Sequence, residues 1–338
     1  MHKVLITGAT GQTASYLVEY ILKEHPEWEV HCTRRWRSRD ENIGSFRKQV
    51  IWHDCEMKDL FNVNYIVKKI MPERIFVYSA SSFVRNSWFQ PYEYFRENID
   101  HLLNVMNSVL MINDINLDSL KVTLKYNPKI FIALSSEEYG HVPEGTRITE
   151  ETPLQPISPY GVSKVAADML GYQYNRSYGM NVYRFRSFNH ESPKRGHIFV
   201  TGSFAKQVAL MEEGIISPIL HVGNTASVRD WTDARDIVRA AWIGMDLCEP
   251  GECYNLCSEK AHTIDDFIER LRELANIDFK IKVDETRMRP SDVTWLLGDC
   301  SKFKAKTGWE IKYDFMRDTV PEMLDYWRKR IKIEKEFD

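Results

Sequence analysis

Short apolar runs recur along the first half of the chain with little polar alternation inside them. The stretches between carry apolar residues at helical spacing. Val4-Leu5-Ile6-Thr7 predicts a buried strand, followed by a glycine turn and a helix over 14–24. Further strands are expected at 29–33, 49–52, 74–78 and 129–133, with helices over 58–70 and 92–111. A strand that is apolar on both faces must be covered on both, and helices between such strands imply crossover connections. The expected fold class is therefore α/β: a Rossmann-like doubly wound parallel sheet whose ligand crevice opens at the carboxyl ends of the strands.

The second half is less regular. Turns such as Glu249-Pro250-Gly251-Glu252 separate shorter elements, and helices are predicted over 204–213, 234–247, 264–275 and 315–330. These segments are expected to gather into a smaller C-terminal substrate-binding domain. The expected division gives 1–186 to the sheet domain and its catalytic residues. It gives 187–338 mainly to the second domain, with about 219–256 returning to the sheet.

Composition narrows the function class. A chain of 338 residues has room for about two domains and a sizeable core without disulfides or structural metals. Its 45 basic and 48 acidic residues leave a net charge of -3, so no strong field favours polyanions or acidic membranes. That argues against a nucleic-acid binder resting on many phosphate contacts, yet allows a local basic pocket for one small phosphate ligand. Nothing resembles a secretory leader or approaches a membrane span of about 18–20 apolar residues. The six cysteines (Cys32, Cys55, Cys248, Cys253, Cys257, Cys300) form no CxxC pair and no zinc-finger spacing. A cytoplasmic protein with reduced cysteines and no metal is expected.

Gly8-Ala9-Thr10-Gly11-Gln12-Thr13-Ala14 sits between the first strand and the first helix, where a glycine turn lets backbone N–H groups approach a pyrophosphate. Arg34 and Arg35 end the second strand, at the place where an acidic residue would bind a free ribose 2′-hydroxyl. Two guanidiniums suit a 2′-phosphate instead, which favours NADP over NAD. The plain reading of that pair is an exposed basic turn shared with Arg37 and Arg39. Asp54 follows the third strand at the expected adenine edge, and Ala80-Ser81-Ser82 after the fourth is small enough to lie against a cofactor.

Ser135-Ser136-Glu137-Glu138-Tyr139-Gly140 follows the fifth predicted strand, and Ser158-Pro159-Tyr160-Gly161-Val162-Ser163-Lys164 opens a helix. Tyr160 and Lys164 share one helical face, and an ammonium beside a phenol favours the phenolate. Tyr65 and Lys69 have the same spacing and read as plain helix surface. What sets Tyr160/Lys164 apart is the strand-end hydroxyl of Ser135 upstream and the proline-rich approach through Pro153, Pro156 and Pro159.

With these residues the chain closely resembles the extended short-chain dehydrogenase/reductase superfamily. More specifically, Asn189-His190-Glu191-Ser192-Pro193-Lys194-Arg195-Gly196 is similar to a stretch of the GDP-mannose 4,6-dehydratase family. So are the segments from Val222-Gly223-Asn224 to Arg229-Asp230-Trp231 and from Arg289-Pro290-Ser291-Asp292 to Leu297-Gly298-Asp299, with Gly308-Trp309 beyond. The resemblance runs from about residue 3 to about 330.

It implies a lyase on GDP-mannose or a related GDP-hexose or GDP-heptose, using NADP, in a homodimer or homotetramer whose 35–42 loop reaches a neighbour. It assigns Tyr160 as the base at the sugar 4-hydroxyl, Lys164 as its electrostatic partner, Ser135 as the hydroxyl on the C4 oxygen and Glu137 as the C5 base. Cofactor contacts are implied at Gly8, Thr10, Gly11, Gln12, Thr13, Arg34, Arg35, Asp54, Cys55, Ala80, Ser82, Tyr160, Lys164, His190 and Arg195. Substrate contacts are implied at Ser82, Ser135, Glu137, Tyr160, Asn189, Arg195, Val222, Arg229, Arg289 and Asp292, with Glu191 bracing their loop.

Several positions depart from the family pattern. Ser135 stands for a threonine, Thr13-Ala14 for Asp-Gly, Gly202-Ser203 for a basic pair and Asp292 for a longer acid, and the 113–127 connection is long. Two other classes fit the same frame: an NAD(P)-dependent C4 oxidoreductase or epimerase of a GDP-sugar, and a non-catalytic nucleotide binder. Glu137 discriminates against the first, because redox chemistry at C4 alone needs no carboxylate at C5. The adjacent Glu138 carries no assigned role.

Overall fold

The computed structural model describes residues 2–116, 119, 121–288 and 292–336. In chain order the elements begin with β1 (His2–Thr7), α1 (Gln12–Glu24), β2 (Trp28–Arg34), β3 (Ile51–Asp54), α2 (Leu60–Ile70), β4 (Arg74–Val77), α3 (Val84–Ser87) and α4 (Pro91–Phe95). A π turn, Arg96–Asp100, joins α4 to α5 (His101–Ile112), and a small hairpin, β5 (Asp114–Asn116) and β6 (Lys121–Thr123), precedes β7 (Lys129–Ser135). Then come α6 (Pro159–Tyr178), β8 (Val182–Ser187), β9 (Asn189–Glu191), α7 (Val200–Glu212), β10 (Ile219–Val222), β11 (Val228–Asp233), α8 (Ala234–Leu247) and β12 (Cys253–Leu256). The chain finishes with β13 (Ala261–Thr263), α9 (Ile264–Leu274), β14 (Lys280–Val283), α10 (Ser301–Thr307) and α11 (Val320–Glu336).

Seven strands form one sheet in the order β12-β8-β7-β4-β1-β2-β3, every neighbour pair parallel. The strand order reverses between β1 and β4, which opens the ligand crevice beyond the carboxyl ends of these two strands. Period-2 geometry explains the strand sequences. In β1, Val4 and Ile6 enter the core formed with α1 and α8, whereas Leu5 enters the opposite core formed with α2 and α5. Phe131 and its neighbours Ile130 and Ile132 divide in the same way in β7. A third core, built on Phe204, Trp231, Phe267, Phe315 and Trp327, belongs to the smaller lobe. That lobe holds the two-stranded β10-β14 sheet, while β11 pairs with both β9 and β13 beside it. After β11 the chain rejoins the sheet domain: α8 and β12 pack there, as do Leu296, Phe303 and Trp309 further on.

The predicted 92–111 helix is observed in three parts, α4, the π turn and α5. The wide turn carries Asn98 inward, where its Oδ1 accepts the Ser81 N–H at 2.8 Å and its amide donates to Ser163 Oγ at 2.8 Å. A one-residue widening thereby stitches the β4 loop to the second turn of α6.

Candidate active site

α6 begins where its sequence says it should. The Ser158 hydroxyl accepts the Gly161 N–H at 3.0 Å as N-cap, and Pro159 occupies the first helical position, where no N–H is needed. This start puts Tyr160 and Lys164 on the face turned to the end of β7. Both are buried, and Lys164 Nζ lies 5.7 Å from the Tyr160 ring centre while donating to the Ala133 carbonyl at 2.8 Å. Ser135, at the end of β7, presents its hydroxyl to Tyr160 and favours the phenolate.

The phenol is not lowered in this fold as the sequence suggested. Burial holds Tyr160 above the ordinary tyrosine range, with Glu137 and Glu138 adding to the rise and the Ser135 hydroxyl opposing it. Burial also pushes the Lys164 ammonium down, to about 8, with Glu138 restoring part of the charge. The two shifts run in opposite directions and away from each other, because burial favours the neutral phenol and the neutral amine alike.

Glu137 and Glu138 divide the labour. Glu138 closes a capping box: its carboxylate accepts the Ser135 N–H at 2.8 Å, and the Ser135 hydroxyl accepts the Glu137 N–H at 3.2 Å. Glu138 faces Arg186 on the protein side, whereas Glu137 lines the cleft beside Ser135 and Tyr160. The approach of this loop to α6 depends on Gly161. A β-carbon there would lie 2.6 Å from the Glu137 carbonyl oxygen and 2.9 Å from Pro156 Cβ. Gly161→Ala is expected to move Glu137 away and lower kcat/KM for the native reaction toward about a hundredfold, the order set by misplacing a catalytic group by an ångström. Alanine is the better helix former by up to about 1 kcal/mol, so the melting midpoint should move little. Steady-state kinetics beside a thermal scan separate the two effects, and unchanged kinetics would remove Gly161 from the site.

These side chains line one cavity of about 1270 Å3 between the sheet domain and the smaller lobe. Single small-molecule sites are usually about 300–1,000 Å3, so the volume suits two ligands side by side. One end is the turn after β1. Gly8 has φ +64, in the left-handed region, and a β-carbon on it would lie 2.9 Å from Ser79 Cα. Gly11 caps α1 without a side-chain hydrogen bond, leaving the helix start open to the cavity that Gly8, Gly11, Gln12 and Thr13 line. An open helix N-terminus of this length favours a phosphate group. The buried Oδ1 of Asn189 and hydroxyl of Tyr78, both on the cavity wall, have no hydrogen-bond partner, as a site made for polar ligands would leave them. The residues present thus fit a dinucleotide.

The stretch from Asn189 to Arg195 ties the two lobes together. Arg195 donates to Gln12 Oε1 at 2.7 Å, pairs with Glu191 at 3.1 Å and lies 3.5 Å from the Phe199 ring centre. Glu191 also accepts from Thr201 at 2.6 Å, and burial pushes its carboxyl up. His190 is held neutral: burial, then the Arg195 charge, push it down to about 4. Its Nδ1–H donates to the Phe188 carbonyl at 3.0 Å, which leaves Nε2 to accept from the Thr13 hydroxyl at 3.0 Å.

The remaining expected residues are placed as follows. Ala80, Ser82, Asn189, Arg229 and Asp292 line the same cavity. Arg229 donates to Asp292 at 3.4 Å, and Asp292 also accepts from Ser227 at 3.2 Å. Thr10, Arg34, Arg35, Asp54, Cys55 and Val222 do not line it. Arg34 is engaged by Asp40 and Asp54, each at 3.4 Å, and lies over Trp52. Arg35 is 67% exposed, 3.9 Å from Glu97. Val222 and Cys55 are buried core residues. Arg289 lies outside the described residues.

Asn98, Glu138, Gly161, Arg85 and Arg287 also shape the site, and Glu138 apart no sequence motif assigns them a role. The Ser135-x-x-Glu138 spacing was the legible sign for Glu138. Among the described residues no group of three potential ligands is arranged for a metal, and no helix is long and apolar enough to cross a membrane.

Comparison with known proteins bears on the fold and on the family. Solved structures share the fold: RMD from Pseudomonas aeruginosa complexed with NADPH has a TM-score of 0.81 at 23% identity, covering 98% of each chain. The dTDP-glucose 4,6-dehydratase of Bacillus anthracis in complex with NAD scores 0.82 at 21% identity over 100% of each chain. The GDP-mannose 4,6-dehydratase of Yersinia enterocolitica is 31% identical over 91% of this chain and 89% of its own length. The human GDP-mannose 4,6 dehydratase is 29% identical over 95% and 90%. A family profile described as GDP-mannose 4,6 dehydratase matches residues 5–323. A match of that length, repeated by relatives nearly from end to end, means that this chain belongs to the GDP-mannose 4,6-dehydratase family.

Proposed function

We propose that the chain converts GDP-mannose, or a closely related GDP-hexose or GDP-heptose, to the 4-keto-6-deoxy sugar nucleotide with no net redox change. The observation that carries this reading is the cleft-facing Glu137 beside Ser135 and Tyr160. Tyr160 takes the proton of the sugar 4-hydroxyl, and Ser135 donates a hydrogen bond to the C4 oxygen as it becomes a carbonyl. When bound, a nicotinamide dinucleotide accepts hydride from C4, favours the phenolate through its positive ring, and returns the hydride to C6. The new ketone acidifies the C5–H bond, and Glu137 removes that proton. Water leaves from C6 with a proton returned by the protein, giving an enone, and final protonation at C5 restores the carboxylate. Gly8, Gly11, Gln12 and Thr13 would hold the dinucleotide phosphates, and Lys164 its nicotinamide ribose.

NADP remains the preferred dinucleotide. Arg35 and Arg39 are largely exposed near the end of β2, where a guanidinium is able to meet a 2′-phosphate. Incubating the purified protein with GDP-mannose and NADP, without added reductant, is expected to lower the sugar-nucleotide mass by one water. An unchanged mass, or a two-hydrogen change, would favour chemistry confined to C4.

A further inference from the structure

A nucleotide sugar brings a diphosphate into the cleft, and most of the cations around it are already engaged. Lys164 is bonded to the Ala133 carbonyl, and Lys194 to Glu19 and the Asn42 carbonyl. Arg195 spans Gln12 and Glu191, and Arg229 meets Asp292. Of the four other guanidiniums that line the cavity among the described residues, Arg330 is held by Glu41 and Glu334 and Arg39 lies 3.7 Å from Glu41, which leaves Arg85 after β4 and Arg287 after β14.

Arg287 is built into the wall rather than splayed from it. Its Nη1 stands 3.4 Å from the Ser203 hydroxyl of α7, and its Nε 3.3 Å from Asp284, which steadies the stem. A β-carbon on Gly223 would come within 3.3 Å of Arg287 Cβ, so glycine there lets the arginine lie close to the end of β10. On the facing helix, a β-carbon on Gly202 would lie 2.6 Å from the Arg195 carbonyl oxygen. No side chain fits at 202, and the neighbouring Ser203 is uncharged. The guanidinium that the 284–288 turn brings to this point of the cleft is that of Arg287. Arg85 donates to the Thr286 carbonyl at 2.7 Å and fastens that turn to the sheet domain.

We propose that Arg287 reads the diphosphate of the substrate and that Arg85 is a positioning residue holding its turn. This rests on the nucleotide-sugar reading above. A guanidinium with 36% of its side chain exposed and, among the described residues, one carboxylate partner at 3.3 Å keeps donor capacity for an anion.

The test is calorimetric titration of GDP and of guanosine into the wild type, Arg287→Gln and Arg287→Lys. Arg287→Gln is expected to weaken GDP roughly 10- to 100-fold, the worth of hydrogen bonds to a charged group, and to leave guanosine unchanged. KM for GDP-mannose should rise by a similar factor while kcat moves by less than about threefold, because the contact is equal in ground and transition states. Arg287→Lys should recover only part, since it keeps the charge and loses the fork. Arg85→Gln should weaken GDP in the wild type and have no further effect in the Arg287→Gln background. GDP binding by Arg287→Gln at wild-type affinity overturns the assignment, as does wild-type binding of guanosine as tightly as GDP. If the wild type converts GDP-mannose and Arg287→Gln does so with the same KM, this assignment alone falls. Failure of the wild type to bind GDP removes the nucleotide-sugar reading with it.

Discussion

Glu137→Gln is expected to lower the rate of water elimination by about 10³-fold, within the range that a positioned general base contributes, while KM changes only a few-fold. The amide keeps the shape of the carboxylate but cannot take the C5 proton, and Glu137 is one of the two carboxylates the β7 loop supplies. The other, Glu138, is turned away and fixed on the Ser135 N–H and Arg186, so it cannot substitute. Oxidation at C4 should survive, since Ser135, Tyr160 and Lys164 are untouched. Exchange of the C5 hydrogen with solvent should stop. A second signature follows from charge. The Glu137 carboxylate is one of the causes that raise the Tyr160 phenol. Its neutralisation should lower that pKa, moving the acid limb of kcat/KM to lower pH. Mass spectrometry of the product, deuterium wash-in at C5 and a pH profile read the three effects. Elimination at the wild-type rate would remove Glu137 as the base.

The parts of the fold that were legible are those whose partners are local or generic. β1, β4 and β7 are apolar on both faces and are buried on both, as their runs implied. The turn at Gly8–Gly11 and the start of α6 follow from capping and glycine rules that act within a few residues. β8 was opaque for a physical reason. Val182-Tyr183-Arg184-Phe185-Arg186-Ser187 alternates apolar with charged residues and reads as a half-exposed strand, yet every residue in it is buried. Asp168, reached through the tertiary fold and joined by Glu138 at Arg186, makes those arginines tolerable inside. A trace of this was present in the sequence, since Tyr160, Lys164 and Asp168 follow at i, i+4 and i+8 on one helical face. At Arg34 the ion pairs were hidden in the same way. A pair of arginines at a strand end suggests a phosphate, but Asp40 and Asp54 converge on the first of them, and no local spacing announces that convergence. Arg287 was invisible because its partner Ser203 lies on a distant helix.

Asp168→Asn is expected to destabilise the protein by about 3–5 kcal/mol, the cost of leaving buried charge uncompensated when one partner is removed. Asp168 is fully buried and accepts from Arg184 at 2.6 Å and from Arg186 Nε at 2.9 Å. Asparagine is nearly isosteric, so no cavity forms. It removes the negative charge and turns an amide toward two guanidiniums that stay interior. Arg184 keeps the Gly251 carbonyl at 2.8 Å and Arg186 keeps the Tyr139 hydroxyl at 3.0 Å, neither of which carries charge. The melting midpoint should fall on the order of 5–10 °C. Activity should fall as well, at temperatures far below unfolding, because the same network supports the catalytic loop from behind. Arg186 lies 3.4 Å from Glu138, which holds the Ser135 N–H, and Tyr139 donates to Asn255 of β12 at 2.6 Å. Losing Asp168 leaves Glu138 as the remaining buried carboxylate beside Arg186. The guanidinium should then swing toward it and draw Glu138 off the Ser135 N–H. Thermal denaturation together with kcat measured well below the transition reads both consequences. A midpoint unchanged in the variant would mean that the ion network contributes nothing net to the fold. Lost stability with full activity would mean that β7 and its loop hold Ser135 and Glu137 in place without it.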